Sequence, residues 1–328
     1  VYQIFRATIN LVTYVLYRKN KIRPRFRLLL DGLVLVFLGG TSLLSSTGNS
    51  VFQLFVLGAY FFLYGVSNIR DGFLFEEEIG KNHLKRRIRI SLPIVLAALI
   101  PARTLAKVNK FMLENADEEE DIHLGIVKSG KTAELEIFVH TAETSLFSAI
   151  GHVDICYQGR VISYGNYDPS SETLFGMVGD GVLYFCDRDK YIDLCKRESQ
   201  KTLFGYGIDL TPEMEKAVQK KLAELKQLTI PWEPSADKIM TGDGKEDYTY
   251  AYKIRHETDG ELYKFIKSKF KSYFVLSTNC VLLADTIVGQ AGTDILSPKG
   301  FIAPGTYQAY LNREFEKPNS IVVSKHVY

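Results

Sequence analysis

Two residue types in this chain could carry out covalent chemistry together. Cys280 follows Asn279 in "SYFVLSTNCVLLADTIVG" (272–289) and opens an apolar run with helical character. Asn279 is a good N-cap, and the run reads as a helix ending near Gly289. Cys280 therefore falls in the first helical turn, where unpaired N–H groups and the helix dipole favour a thiolate. The same amides could hold an oxyanion during acyl transfer. The competing reading is a small buried hydrophobe, the usual fate of a free cysteine. A thiolate catalyst also needs a base, and the chain has six histidines. His83 and His123 lie in charged connectors, His256 in a charged stretch, and His326 near the end. His140 and His152 fall on expected strands. His152, in "GHVDI", is the stronger candidate. Gly151 leaves its backbone open to close approach, and Val153 and Ile155 alternate with it. Asp154 shares its strand face by the same period, with a solvated carboxylate as the equal alternative. A hydrogen-bonded structural histidine is the alternative for His152, and His140 is the reserve.

Several elements must position this pair. "AELEIFVH" (133–140) alternates as a strand. "AIGHVDICYQG" (149–159) and "RVISYGNY" (160–167) read as two strands around a tight turn at Gln158–Gly159. "GVLYFCD" (181–187) and "TLFGYGIDL" (202–210) are further strands. "TPEMEKAVQKKLAELKQL" (211–228) is an amphipathic helix capped by Thr211, with Met214, Val218, Leu222 and Leu225 as its buried stripe. Residues 235–247 read as an exposed loop, and a helix is expected near 260–270. The Gly-, Tyr- and Ser-rich stretch 164–185 lacks a GK[ST] ending and reads as a loop bordering the cleft.

The N-terminal third has a different composition. Residues 32–69 contain no charge, long enough for two spans at about 20 residues each. "SSTGNS" (45–50) supplies a turn, so helices near 28–46 and 51–69 are expected as a transmembrane hairpin. Arg18, Lys19, Lys21, Arg23, Arg25 and Arg27 precede it, and Arg70, Lys81, Lys85, Arg86, Arg87 and Arg89 follow it. The positive-inside rule puts both flanks on the cytoplasmic side. Residues 1–17 span weakly or lie in the interface. Residues 90–108 decide the topology: if they cross, the C-terminal domain is extracytoplasmic, which is the placement expected. An acidic connector, "ENADEEEDIH" (114–123), follows. The expected organisation is a membrane segment 1–110, a linker 111–130, and a soluble α+β domain 131–328.

Charge and cysteine usage narrow the chemistry. The net charge is +2, which gives no bulk attraction to nucleic acid. The four cysteines show no CxxC spacing, so neither zinc nor a disulfide framework is expected, and no cofactor is implied.

"GHVDICYQGRVISYGNYD" together with "YFVLSTNCVLLADTIVG" resembles circularly permuted papain-like proteins of the NlpC-like superfamily. In that branch the histidine strand precedes the cysteine helix. Lecithin–retinol acyltransferase-like enzymes carry a similar "NC" with an aromatic upstream, as Tyr273 is here. Lnb-type periplasmic domains and bacterial lipoprotein N-acylating transferases look similar in the same places. The resemblance covers about residues 133–315, with its specific motifs confined to these two patches. It implies a permuted papain-like domain, an antiparallel sheet plus helices, which would follow the transmembrane segment read from residues 32–69. It implies Cys280 as nucleophile and His152 as base. The family's third polar residue, often histidine on the next strand, has no histidine counterpart in "ISYGNYD"; Asn166 or Tyr164 is left to orient the imidazole. The implied activity is a membrane-anchored cysteine acyltransferase or hydrolase acting through a thioester on lipid, lipoprotein or amide substrates. A cell-wall peptidase or amidase of the same superfamily and a non-catalytic membrane scaffold are the alternatives.

Overall fold

The computed structural model describes residues 2–44 apart from 24, positions 54, 55, 58 and 62, then 124–127, 133–140, 151–291 apart from 200–201, 241–243 and 245, 304–316 and 320–328. The chain divides into two compact units, Val1–Lys85 and Arg86–Tyr328.

Among the described residues the first unit has helices α1 (Tyr2–Lys19) and α2 (Phe26–Leu44). They pack through glycines: a Cβ on Gly32 would meet Leu11 at 2.8 Å and one on Gly39 would meet Ile4 at 2.7 Å. The outward face of α2 is largely apolar, apart from the exposed Arg27–Asp31 ion pair near its start. Phe26 and Phe37 are 71% and 68% exposed, and Leu30, Leu33 and Val34 are exposed beside them. This inverts the usual pattern, in which a helix turns its polar face outward. No helix among the described residues is long and apolar enough to cross a membrane. α2 occupies the first arm of the expected hairpin. The second arm, apart from the four positions above, lies outside the described residues, as do 90–108 and the acidic connector.

The second unit is mixed α+β around a large antiparallel sheet. In chain order its elements are β1 (Leu124–Val127), β2 (Leu135–His140), β3 (His152–Tyr157), β4 (Arg160–Gly165), β5 (Val178–Asp180), β6 (Val182–Asp187), α3 (Arg188–Ser199), β7 (Leu203–Ile208) and α4 (Pro212–Lys226). They continue with β8 (Thr229–Pro231), β9 (Lys238–Met240), β10 (Glu246–Tyr248), α5 (Tyr250–Glu257), β11 (Glu261–Phe265), β12 (Ser272–Phe274), α6 (Cys280–Val288), α7 (Pro304–Glu316) and β13 (Val322–Val327). Nine strands form one sheet in the order β1-β13-β7-β2-β3-β4-β6-β11-β8. Its central strands are buried on both faces, as β7 shows at all six positions. One core holds Leu135, Ile137, Val153 and Ile155 against α4, α6 and α7. The other holds Phe138, Cys156, Val161 and Tyr184 against α3 and α5.

Most expected elements form for the reasons the residues suggested. The β3–β4 hairpin turns at Gln158 (φ 50°) and Gly159 (φ 73°), the left-handed pair a two-residue loop requires. Thr211 caps α4 by accepting from the Met214 N–H, and Met214, Val218 and Leu225 are buried, with Leu222 partly so. Two expectations are corrected. The stretch 235–247, expected as a loop, includes β9 and β10, which pair as a ribbon with Glu246 opposite Met240. The helix expected near 260–270 is instead strand β11, paired with β6 and β8. In "ELYKFIK" the charges recur at a helix-like interval, but Leu262 and Phe265 are the buried positions and the sheet edge takes the segment. The helix comes earlier, at α5, capped by Thr249. Helix α3 was not anticipated.

Gly181 fastens the segment that leads to Cys280. Its N–H donates to the Lys271 carbonyl and its carbonyl accepts from the Phe265 N–H. A Cβ there would sit 1.9 Å from the Phe270 carbonyl oxygen. Gly181→Ala is expected to cost about 1–3 kcal/mol by overpacking, read as a lower urea midpoint. Gly159→Ala, with nothing within 4 Å of its Cβ, is expected to cost only the left-handed strain of about 1 kcal/mol.

Candidate functional site

Cys280 begins α6, and its position is set by a double bond pattern on Asn279. The Asn279 Oδ1 accepts from the Leu282 N–H at 3.1 Å, and its Nδ2 donates to the Val275 carbonyl at 3.0 Å. Behind the cysteine, Val281, Leu283, Ala284, Ile287 and Val288 are buried against the sheet. Each large side chain among these contributes about 1.5–3 kcal/mol of burial. The helix N-terminus is therefore held firmly. Cys280 itself is 3% exposed.

His152 is the first residue of β3, preceded by Gly151 in the left-handed region (φ 73°). Its imidazole lies near enough to the Cys280 sulfur for the two to influence each other's protonation, and the Tyr273 hydroxyl is a second neighbour of the same sulfur. On its other side, His152 Nε2 lies 2.9 Å from Asp154 Oδ1, 2.9 Å from Ser163 Oγ and 2.9 Å from the Tyr167 hydroxyl. Ser163 and Tyr167 are linked at 2.8 Å.

Asp154 is buried on the face of β3 that carries His152, and it serves two imidazoles. His140, directly across from His152 in the β2–β3 register, has its Nε2 2.7 Å from Asp154 Oδ2. The Tyr191 hydroxyl, from α3, donates to that same oxygen at 2.5 Å. Burial alone would push the carboxyl up in pKa. The charge of His152 and the hydrogen bond from His140 outweigh it and hold Asp154 well below the usual carboxylate range, although Oδ1, 2.9 Å from His152 Nε2, makes no aligned hydrogen bond and faces that ring as an ion-pair partner. For His152, burial pulls the pKa down; Asp154 and then Cys280 overcome it, so the net shift is well upward. Tyr167 is pushed well up by burial and by Asp154, so its hydroxyl stays protonated.

The expected site residues are distributed as follows. Cys280 and His152, far apart in sequence, meet. Asn166 bonds elsewhere: it donates to Glu172 at 3.3 Å and accepts from Ser171 at 3.4 Å. Tyr164 donates to the Phe270 carbonyl at 3.0 Å, on the opposite face of β4 from Ser163. The oxygens placed on the His152 ring belong to Asp154, Ser163 and Tyr167. Asp154 was legible from the H-x-D spacing. Ser163 follows from the hairpin, because the two-residue turn sets Cys156 opposite Val161, and the next same-face pair is Asp154 with Ser163. Tyr167 and Tyr191 had no comparable signal.

A cavity of about 670 Å³ opens beside the pair, with His152, Tyr167, Tyr273, Phe175 and Met177 among its walls. Cys280 is not a wall residue; both of its polar neighbours are. The stretch expected to border the cleft supplies one side of it, from Asn166 to Met177. Among the described residues no group of three or more His, Cys, Asp or Glu is arranged to hold a metal.

The two shifted pKa values fix a pH signature. Asp154, depressed on folding, contributes stability above about pH 4 that is lost as pH falls through its lowered value. His152, raised on folding, contributes stability below about pH 6.5 that is lost as pH rises through its raised value. Urea unfolding is therefore expected to show greatest stability between about pH 4 and 6.5. Asp154→Asn should flatten this profile and cost about 3 kcal/mol near pH 6, the scale of a broken buried pair.

No protein-family model, no curated protein and no solved structure matches the chain.

Proposed function

We propose that the 86–328 unit is a cysteine-dependent acyltransferase or hydrolase of permuted papain-like type. The observation that carries this reading is one imidazole placed between a buried carboxylate and the thiol of a helix-N-terminal cysteine. A raised His152 pKa suits a base that must hold the thiol proton. With Nε2 directed at Asp154, Ser163 and Tyr167, Nδ1 is the nitrogen left for the sulfur. The Cys280 proton passes to His152, and the thiolate attacks an ester or amide carbonyl. The carbonyl π pair moves onto oxygen, where the α6 N-terminal amides and the Tyr273 hydroxyl are the available donors. The tetrahedral adduct collapses with loss of the alcohol or amine, which takes the proton from His152. A thioester remains. Water or an amine, deprotonated by His152, then cleaves it and returns the sulfur. Asp154 keeps the imidazolium favourable throughout, with His140 and Tyr191 fixing its second oxygen.

The competing reading, a non-catalytic protein, draws on the near-complete burial of Cys280. Alkylation separates the two. Burial first, with Glu136 adding to it, pushes the Cys156 thiol up to about 12, and burial pushes Cys186 up further. At mildly acidic pH, iodoacetamide is expected to modify Cys280 at least about tenfold faster than Cys156 or Cys186. His152→Ala should abolish that preference. Uniform slow labelling in the parent protein contradicts the catalytic reading.

The first unit, on this proposal, holds the enzyme at a lipid bilayer. The support is the exposed apolar face of α2 beside the basic run Arg18 to Arg27. The full chain is expected to float with vesicles of phosphatidylglycerol and phosphatidylcholine. Leu33→Asp with Phe37→Asp should lower the bound fraction about tenfold. A parent protein that stays at the bottom of the gradient contradicts the proposal.

A further inference from the structure

The loop that walls the cavity ends in an unusual tip. Thr173 and Val178 form a bridge, and between them Leu174 (φ 50°), Phe175 (φ 58°) and Gly176 (φ 79°) are all left-handed. Left-handed backbone is routine for glycine and strained for a bulky residue. Two consecutive bulky apolar residues hold it here. Nor does burial repay the strain: Leu174 is 50% exposed and Phe175 94% exposed.

The tip is nonetheless firmly mounted. Val275 N–H donates to the Met177 carbonyl at 3.0 Å, and β5 pairs with β12. Asp180 N–H donates to Ser171 Oγ at 2.9 Å, and Lys264 bridges Asp168 and Asp180. Phe175 is also a wall residue of the cavity that holds His152 and Tyr273. β12 carries Tyr273 and leads to Cys280, so the tip and the thiol are fixed to one framework. Met177 and Val275 add apolar surface to the same cavity, while the Glu172 carboxylate also lines it, 3.4 Å from where a Cβ on Gly176 would lie.

We infer that the Leu174–Phe175 tip is an acyl-chain subsite: it carries the hydrocarbon of the substrate whose carbonyl meets Cys280. This rests on the proposed thioester chemistry for the identity of the bound group. The occupant follows from continuity. A carbonyl that reaches Cys280 passes through the cavity lined by His152 and Tyr273, and Phe175, Met177 and Val275 are apolar walls of that same cavity, with the Phe175 ring solvent-exposed on a hydrogen-bonded loop. A short polar substituent would leave that ring in water; an alkyl chain covers it.

The test separates binding from chemistry. Octanamide and acetamide are titrated calorimetrically into the full chain carrying Cys280→Ala, where no thioester can form. Octanamide is expected to bind at least about tenfold more tightly than acetamide, in keeping with burial of several methylenes. Phe175→Ser should raise the octanamide Kd about tenfold and leave acetamide unchanged. Phe175→Gly should weaken octanamide equally while leaving the melting temperature the same or higher, since glycine relieves the left-handed backbone. Equal affinity for the two amides, or an octanamide Kd unmoved by Phe175→Ser, overturns the inference. With Cys280 restored, octanoyl and acetyl p-nitrophenyl esters report the chemistry. Thioester formation without chain preference overturns the subsite and keeps the reaction. Chain binding without thioester overturns the reaction and keeps the subsite.

Discussion

A carboxylate buried in a protein interior is tolerable only with positive charge and hydrogen bonds around it, and Asp154 dictates its surroundings accordingly. Its two oxygens are divided between two histidines, His152 on one and His140 with Tyr191 on the other. The three elements bearing these groups, β2, β3 and α3, are locked into mutual register by this requirement. The imidazole of His152 is thereby fixed in rotation and biased towards its protonated form. Everything proposed for Cys280 depends on that bias.

The two cores on opposite faces of the sheet have different tasks. One seats α6 and so delivers a helix N-terminus to the end of β3. The other, which holds Cys156, Cys186 and Cys195, includes Tyr191 of the polar network. His152 sits where they meet, at the first residue of its strand after a left-handed glycine. That placement lets one ring touch the Asp154 network and the Cys280 sulfur together. A histidine in mid-strand would be committed to a single face.

Much of this was legible in the residues. The Asn279 cap, the α6 run, the Gln158–Gly159 hairpin and the Thr211-capped helix rest on local chemistry, and each formed where local chemistry placed it. The Cys280–His152 encounter came from a resemblance plus helix position. The partners of His152 were only partly readable. Asp154 and Ser163 follow from strand period and turn register, while Tyr191 arrives from a helix whose packing is tertiary. Asn166 and Tyr164 are polar groups just downstream of the base, but strand alternation turns Tyr164 to the other face, and the Ser171–Glu172 loop draws Asn166 away. β11 was misread because its charge spacing imitates a helix, and only its pairing with β6 and β8 decides otherwise.

Whether Cys280 and His152 work as nucleophile and base is decided by intact-mass analysis with peptide mapping after exposure to octanoyl p-nitrophenyl ester. One octanoyl group is expected on Cys280, released by hydroxylamine, absent in Cys280→Ala and strongly reduced in both His152→Ala and Asp154→Asn. An adduct that forms equally well without His152, or no adduct on Cys280 in a folded parent protein, would contradict those roles.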